Sequence, residues 1–222
     1  MWKLLALLLV LAAGPAQAHD SWFARQPDGS VVLGTGNQFP KQETGIAPQY
    51  LLKQACAAGS CWAQTTPFEL ELAPDKIALY LDEVRPDAAV LDTWRTMQAR
   101  GLPWLERYAK HARIVLDAAG AATPSGMAMD VLLLGGAAPR RGQPLQFQLL
   151  RDGQPLPQFA VELRNDRSRF GIWRRTDDAG RLSFTPPFAA QWLLRGIDLR
   201  LSDTVPDTFD SRFVTLAFEV QN

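Results

Sequence analysis

The sequence predicts a mainly β protein in two parts: an immunoglobulin-like β-sandwich in the C-terminal half, and a mixed β region with one helix in the N-terminal half. Apolar residues alternate with polar ones through much of residues 145–220, and turn signals interrupt the alternation. One stretch near residues 87–101 carries both a helix start and a helix stop. Nothing in residues 128–222 keeps a helical period of useful length.

The chain opens MWKLLALLLVLAAGPAQA-HD. Lys3 is a short positive head, Leu4 to Ala13 is an unbroken apolar run, and Ala16-Gln17-Ala18 is a small-x-small cleavage signal. Residues 1–18 therefore read as a signal peptide cut after Ala18, which would place the protein in the periplasm. The apolar run is too short to span a bilayer, and no later stretch approaches the required length of about 20 residues. No membrane span is expected in the mature chain. Cleavage would remove Lys3 alone from 23 basic and 23 acidic residues, and that near-neutral balance argues against a nucleic-acid partner.

Val31-Val32-Leu33 and Phe68 to Leu72 read as strands. Gly34, Gly36, Pro40, Gly45 and Pro48 make the segment between them irregular. Pro86 stands before AAVLDTWRTMQARG, with Asp87 as the expected N-cap and Gly101 as the stop. Ala112, Ile114 and Leu116 then alternate as a returning strand. Ala118 to Gly126 is small and breaker-rich and marks a linker, dividing the mature chain into residues 19–125 and 126–222. In the second part, strands are expected around Leu145-Phe147-Leu149, Phe159-Val161-Leu163, Phe170-Ile172, Ile197-Leu199-Leu201 and Val214-Leu216-Phe218-Val220. Turns at Asp152-Gly153, Asn165-Asp166 and Asp177-Asp178-Ala179-Gly180 separate several of them.

Cys56 and Cys61 are the only cysteines. In an oxidising compartment they read as a local disulfide. The alternative is a pair of thiolate ligands for zinc or copper(I), although no histidine lies nearby in sequence.

Several motifs together resemble a known family. They are HDSWF at 19–23, TGNQFPKQE at 35–43, PWLERYAKHAR at 103–113 and DGQPLPQFAV at 152–161. TDDAGRLSF at 176–184, QWLL at 191–194 and FVTLAFEV at 213–220 complete the set. The chain is similar to the exported bacterial proteins of domain-of-unknown-function family 4198, over essentially all of the mature sequence. Some members are associated with nickel or cobalt uptake, so the resemblance implies a sandwich fold, export and a metal-transport membrane complex as partner.

The residues themselves suggest a site. After cleavage His19 would be the first residue, with an α-amine and an imidazole able to close a six-membered chelate on one transition-metal ion. His111, the other of two histidines, would add a third nitrogen, and the adjacent Asp20 an oxygen. Such a tetragonal nitrogen and oxygen set suits copper(II) or nickel(II) better than tetrahedral zinc. Glu43 and Glu106 are candidate supports for the ligands. Tyr108 is a candidate axial neighbour, and Met127 and Met129 are candidate thioether ligands that otherwise read as core. The bland alternative is that His19 is frayed and solvated and His111 lies on a charged face.

No serine–histidine–acid set is credible, and GTGNQF lacks the context of a phosphate loop. The expected function is a non-enzymatic periplasmic accessory that binds nickel, cobalt or copper. The alternatives are a metal-free interaction module of the cell envelope and a copper-dependent oxidase.

Overall fold

A computed structural model of the chain describes residues 19–57 and 59–222. The expected signal peptide, residues 1–18, lies outside the described residues. The protein is mainly β, as expected, but holds two helices rather than one.

The first strands of the described residues are β1 (Asp20–Arg25), β2 (Val31–Gly36) and the short β3 (Thr44–Gly45), which form a small antiparallel sheet. Next come β4 (Leu51–Ala57) and β5 (Ser60–Thr65), an antiparallel pair in which Cys56 and Cys61 stand opposite each other and are disulfide-bonded. Then follow β6 (Phe68–Leu72), α1 (Pro74–Val84), α2 (Ala88–Ala99) and the long β7 (Trp104–Val115). The second half supplies β8 (Met129–Leu134), β9 (Leu145–Arg151), β10 (Gln154–Pro155), β11 (Ala160–Asn165), β12 (Ser168–Arg175), β13 (Arg181–Phe184), β14 (Ala190–Leu201) and β15 (Phe209–Val220).

Helix α2 begins as its sequence indicates. The Asp87 carboxylate accepts a hydrogen bond from the Val90 amide at 3.0 Å, and Val90, Trp94 and Met97 form one buried stripe. Strands β1, β4, β5 and β13 are additions to the expected elements, and helix α1 is likewise a helix that the sequence does not predict. It follows a strand directly, has no polar N-cap side chain and turns Leu79 outward. Its start is set instead by Pro74 in the first turn, and Ile77, Tyr80 and Val84 line its buried face.

The main sheet has the order β12-β11-β14-β15-β7-β5-β4, and β6 also pairs with β7. Strands from both sides of Ala118–Gly126 therefore share one sheet, joined by the parallel pairing of β15 with β7. The breaker-rich segment is itself anchored: Ala121 is fully buried, and the Arg113 guanidinium donates to the carbonyls of Gly120 and Thr123 at 3.2 and 2.8 Å.

Because successive strand residues point to opposite faces, the main sheet carries two separate cores. On one face Val161, Leu163, Trp192, Leu194, Val214 and Leu216 meet Met129, Val131, Leu133, Phe147 and Leu149 of the second sheet. This is the expected sandwich, and Met129 belongs to its core. The other face is covered by two units. Helices α1 and α2 pack over Trp104, Ile197, Leu199, Phe209 and Phe213. The sheet of β1 to β3 packs Trp22, Phe23 and Phe39 over Ala63, Ala112, Ile114, Leu193 and Ala217. Each large apolar side chain so buried contributes about 1.5–3 kcal/mol.

Replacing Cys56 and Cys61 together by serine should cost only about 2 kcal/mol, because the closed loop is short and little unfolded-state entropy is removed. Chemical unfolding of the double variant checks this. A chain that no longer folds would contradict it.

Candidate functional site

Strand β7 reads WLERYAKHARIV and distributes its side chains by parity. Trp104, Glu106, Tyr108, Lys110, Ala112 and Ile114 face the helices and β1. His111, Arg113 and Val115 face the second sheet, where Arg113 pairs with Asp130 and Val115 packs on the sandwich core. Tyr108 and Trp104 thus share a strand face rather than a helix face. Tyr108 stacks on Phe68 at 5.2 Å, and Trp104 stacks on Phe209 at 4.3 Å.

His19 lies on the first of these faces. Its carbonyl accepts a hydrogen bond from Lys110 Nζ at 2.6 Å. The chain that follows is tied down residue by residue. Thr35 Oγ1 donates to the Asp20 carbonyl at 2.8 Å, Thr215 Oγ1 to the Ser21 carbonyl at 2.6 Å, and Gln42 Nε2 to the Trp22 carbonyl at 2.6 Å. The start of β1 is therefore held, not frayed.

The segment Thr35–Glu43 makes that possible. A Cβ at Gly36 would lie 2.6 Å from the Lys41 carbonyl and 3.0 Å from the Trp22 ring, so only glycine admits this approach. The turn also brings Glu43 to His19, with Oε2 4.0 Å from His19 Nε2. The other carboxylate oxygen is held by the Asn37 amide and side chain, both at 3.3 Å. His19 keeps 26% of its side chain exposed, which leaves its ring accessible.

Asp20 turns into the protein. Its Oδ2 lies 2.9 Å from Arg195 Nε and 3.5 Å from Arg164 Nη1. Glu162 completes this network, 2.9 Å from Arg164 and 3.1 Å from Arg195. Burial opposes the charge on Arg195, but Asp20 and Glu162 outweigh it and raise its pKa. Asp20 is thus committed to two guanidinium groups. It would have to leave them to ligate a metal at His19.

His111 lies on the opposite face of the main sheet from His19. Only 1% exposed, it places Nδ1 3.0 Å from the Phe213 carbonyl. That contact assigns the ring proton to Nδ1. Nε2 is buried with no hydrogen-bond partner among the described residues. Burial pushes the imidazole pKa down to about 4, against a smaller upward effect of the Phe213 carbonyl. The expected three-nitrogen set from His19 and His111 is therefore not formed: their odd–even relation to Lys110 puts the sheet between them. Among the described residues, no group of three His, Cys, Asp or Glu side chains is arranged to hold a metal.

A family model described as Domain of unknown function (DUF4198) matches residues 64–197, more than half of the chain. The chain belongs to this family. No curated protein and no solved structure matches it. In this DUF4198 protein the matched span runs from the end of β5 into β14 and contains His111, whereas His19, Asp20 and Glu43 precede it.

Two environments along β7 of the DUF4198 chain were not legible in the sequence. Lys110 has its pKa lowered to about 8 by burial, which Asp20 partly offsets. Glu106 is buried beneath α1, where Tyr80 Oη donates to it at 2.7 Å and Trp104 Nε1 at 2.9 Å, with Ser211 Oγ as a further donor. Burial raises the Glu106 pKa and those donors pull it back. Glu106 is thus saturated by its own partners. Of the two candidate supporting carboxylates, only Glu43 stands beside His19.

Proposed function

We infer that this DUF4198 protein is an exported accessory protein that binds a transition-metal ion through His19 once the chain has been cut after Ala18, and passes it to a metal-transport complex in the membrane. The observation that carries the reading is the anchoring of His19. Its carbonyl is held by Lys110 and its ring reaches toward Glu43.

The new α-amine and Nδ1 would close the chelate, which leaves Nε2–H to be donated to Glu43. A carboxylate behind a ligating imidazole fixes its tautomer and raises its basicity. Asn37 keeps that carboxylate in place. The metal is cargo here. Copper(II) and nickel(II) suit a nitrogen-rich tetragonal set with open water positions. Binding should weaken in acid, because the amine and the imidazole nitrogen must both be unprotonated to ligate the metal.

The test is calorimetric titration of the processed protein with copper(II), nickel(II) and cobalt(II). His19→Ala should abolish one-to-one binding, and Glu43→Gln should weaken it by about tenfold, the usual range for a residue supporting a metal ligand. Asp20→Asn should have a smaller effect on binding than His19→Ala. Equal effects of the two would place the site elsewhere.

A further inference from the structure

The two edges of the main sheet differ in charge. At the β4 edge Lys53 is the only charged residue. At the other edge, β12 carries Arg169, Arg174 and Arg175, and Arg167 stands in the turn before it. All are exposed, and none of them forms an ion pair among the described residues. Their contacts are with neutral groups: Arg174 donates to the Trp173 carbonyl, Arg175 to the Gln158 carbonyl, and Arg167 lies 5.7 Å above the Phe188 ring. On the same strand Phe170 is 85% exposed, its apolar surface uncovered, with Arg169 before it and Arg174 after it in the sequence.

The geometry narrows what could sit there. The register of β12 against β11 shifts between Leu163 and Asn165, so the edge is irregular near Phe170 and offers poor main-chain pairing to an added strand. Like charge along the edge opposes a second copy of the same chain. The tip itself is held in shape, with the Arg167 amide bonded to Asn165 Oδ1 at 2.9 Å and the Phe170 amide to Ser168 Oγ at 3.1 Å. An exposed aromatic side chain on a shaped hairpin whose exposed arginines form no ion pair matches a surface with anionic groups outside and hydrocarbon beneath.

We propose that the β11–β12 hairpin docks on an anionic phospholipid bilayer, with Phe170 entering the interface and Arg167, Arg169, Arg174 and Arg175 meeting lipid phosphates. The site is independent of any metal at His19.

The experiment is flotation of the full protein with vesicles of phosphatidylglycerol and phosphatidylcholine mixed equally, beside vesicles of phosphatidylcholine alone. The protein should float with the mixed vesicles only. Arg167→Gln with Arg169→Gln should weaken binding by about twenty-five-fold, since each basic residue near an anionic surface contributes about a factor of five. Phe170→Ala should weaken it several-fold at unchanged charge, and Lys53→Gln at the opposite edge should leave it intact. Failure to float with the mixed vesicles, or floating unaffected by the arginine and phenylalanine changes, overturns the proposal. So does retention of soluble polyglutamate by a protein that ignores vesicles, which would assign the arginines to an acidic protein instead.

Discussion

Replacing Asp130 by alanine is expected to destabilise the protein by about 3–5 kcal/mol, as removal of one partner from a buried ion pair usually does. Arg113 and Asp130 are both almost fully buried, with Arg113 Nη1 3.1 and 3.2 Å from the carboxylate oxygens. Asp130 also accepts from the Ser125 amide and hydroxyl at 2.7 and 2.8 Å, and from the Val131 amide at 2.9 Å. Without it the guanidinium stays buried and charged, and the turn before β8 loses its anchor. Arg113→Met combined with Asp130→Leu should recover part of the loss, because no unpaired charge remains although the Ser125 amide and the Gly120 and Thr123 carbonyls lose their partners. Denaturant unfolding of the single and double variants checks both statements. A loss below about 1 kcal/mol for Asp130→Ala would show that the pair contributes like a surface one.

Acid should weaken the fold through His111. Its folded pKa of about 4 lies below the ordinary 6.5, so between those values the unfolded chain binds a proton that the native one refuses. The stability that comes from keeping the ring neutral is complete above pH 6.5 and is lost as pH falls toward 4, by about 3 kcal/mol in all. Arg212 and Asp152 are the charged groups acting on the ring, with opposite signs, and burial exceeds either. Carboxylates titrate in part of the same range, so the quantity to measure is the difference between the native protein and His111→Gln. Unfolding free energies across that window should show a steeper fall for the native chain. Parallel curves would contradict the assignment of a neutral, buried imidazole.

The strands of the sandwich were legible because one face of each is wet or differently packed, so Phe147, Leu149, Val161 and Leu163 recur with period two. Helix α2 was legible from Asp87 and Gly101, both of which act through local geometry. Helix α1 was not, because its start depends on Pro74 alone and Leu79 blurs its stripe. At β7 both faces are buried. Nothing in WLERYAKHAR says that Lys110 and His111 serve different cores, or that Trp104 and Tyr108 lie on a strand. The pairing of His19 with Glu43 depends on the turn through Gly36 and Gln42, and the engagement of Asp20 depends on Arg195, far along the chain. Those are contacts that only the tertiary fold creates.

The central claim is that the amine released at His19 is a metal ligand. It is tested most directly by titrating copper(II) into protein beginning at His19 and into the same protein with one residue added before it. The account predicts tight one-to-one binding in the first and its loss in the second, because the added residue turns the amine into an amide while leaving Glu43, Asn37 and Lys110 in place. Binding that is absent from both, or equal in both, would contradict it.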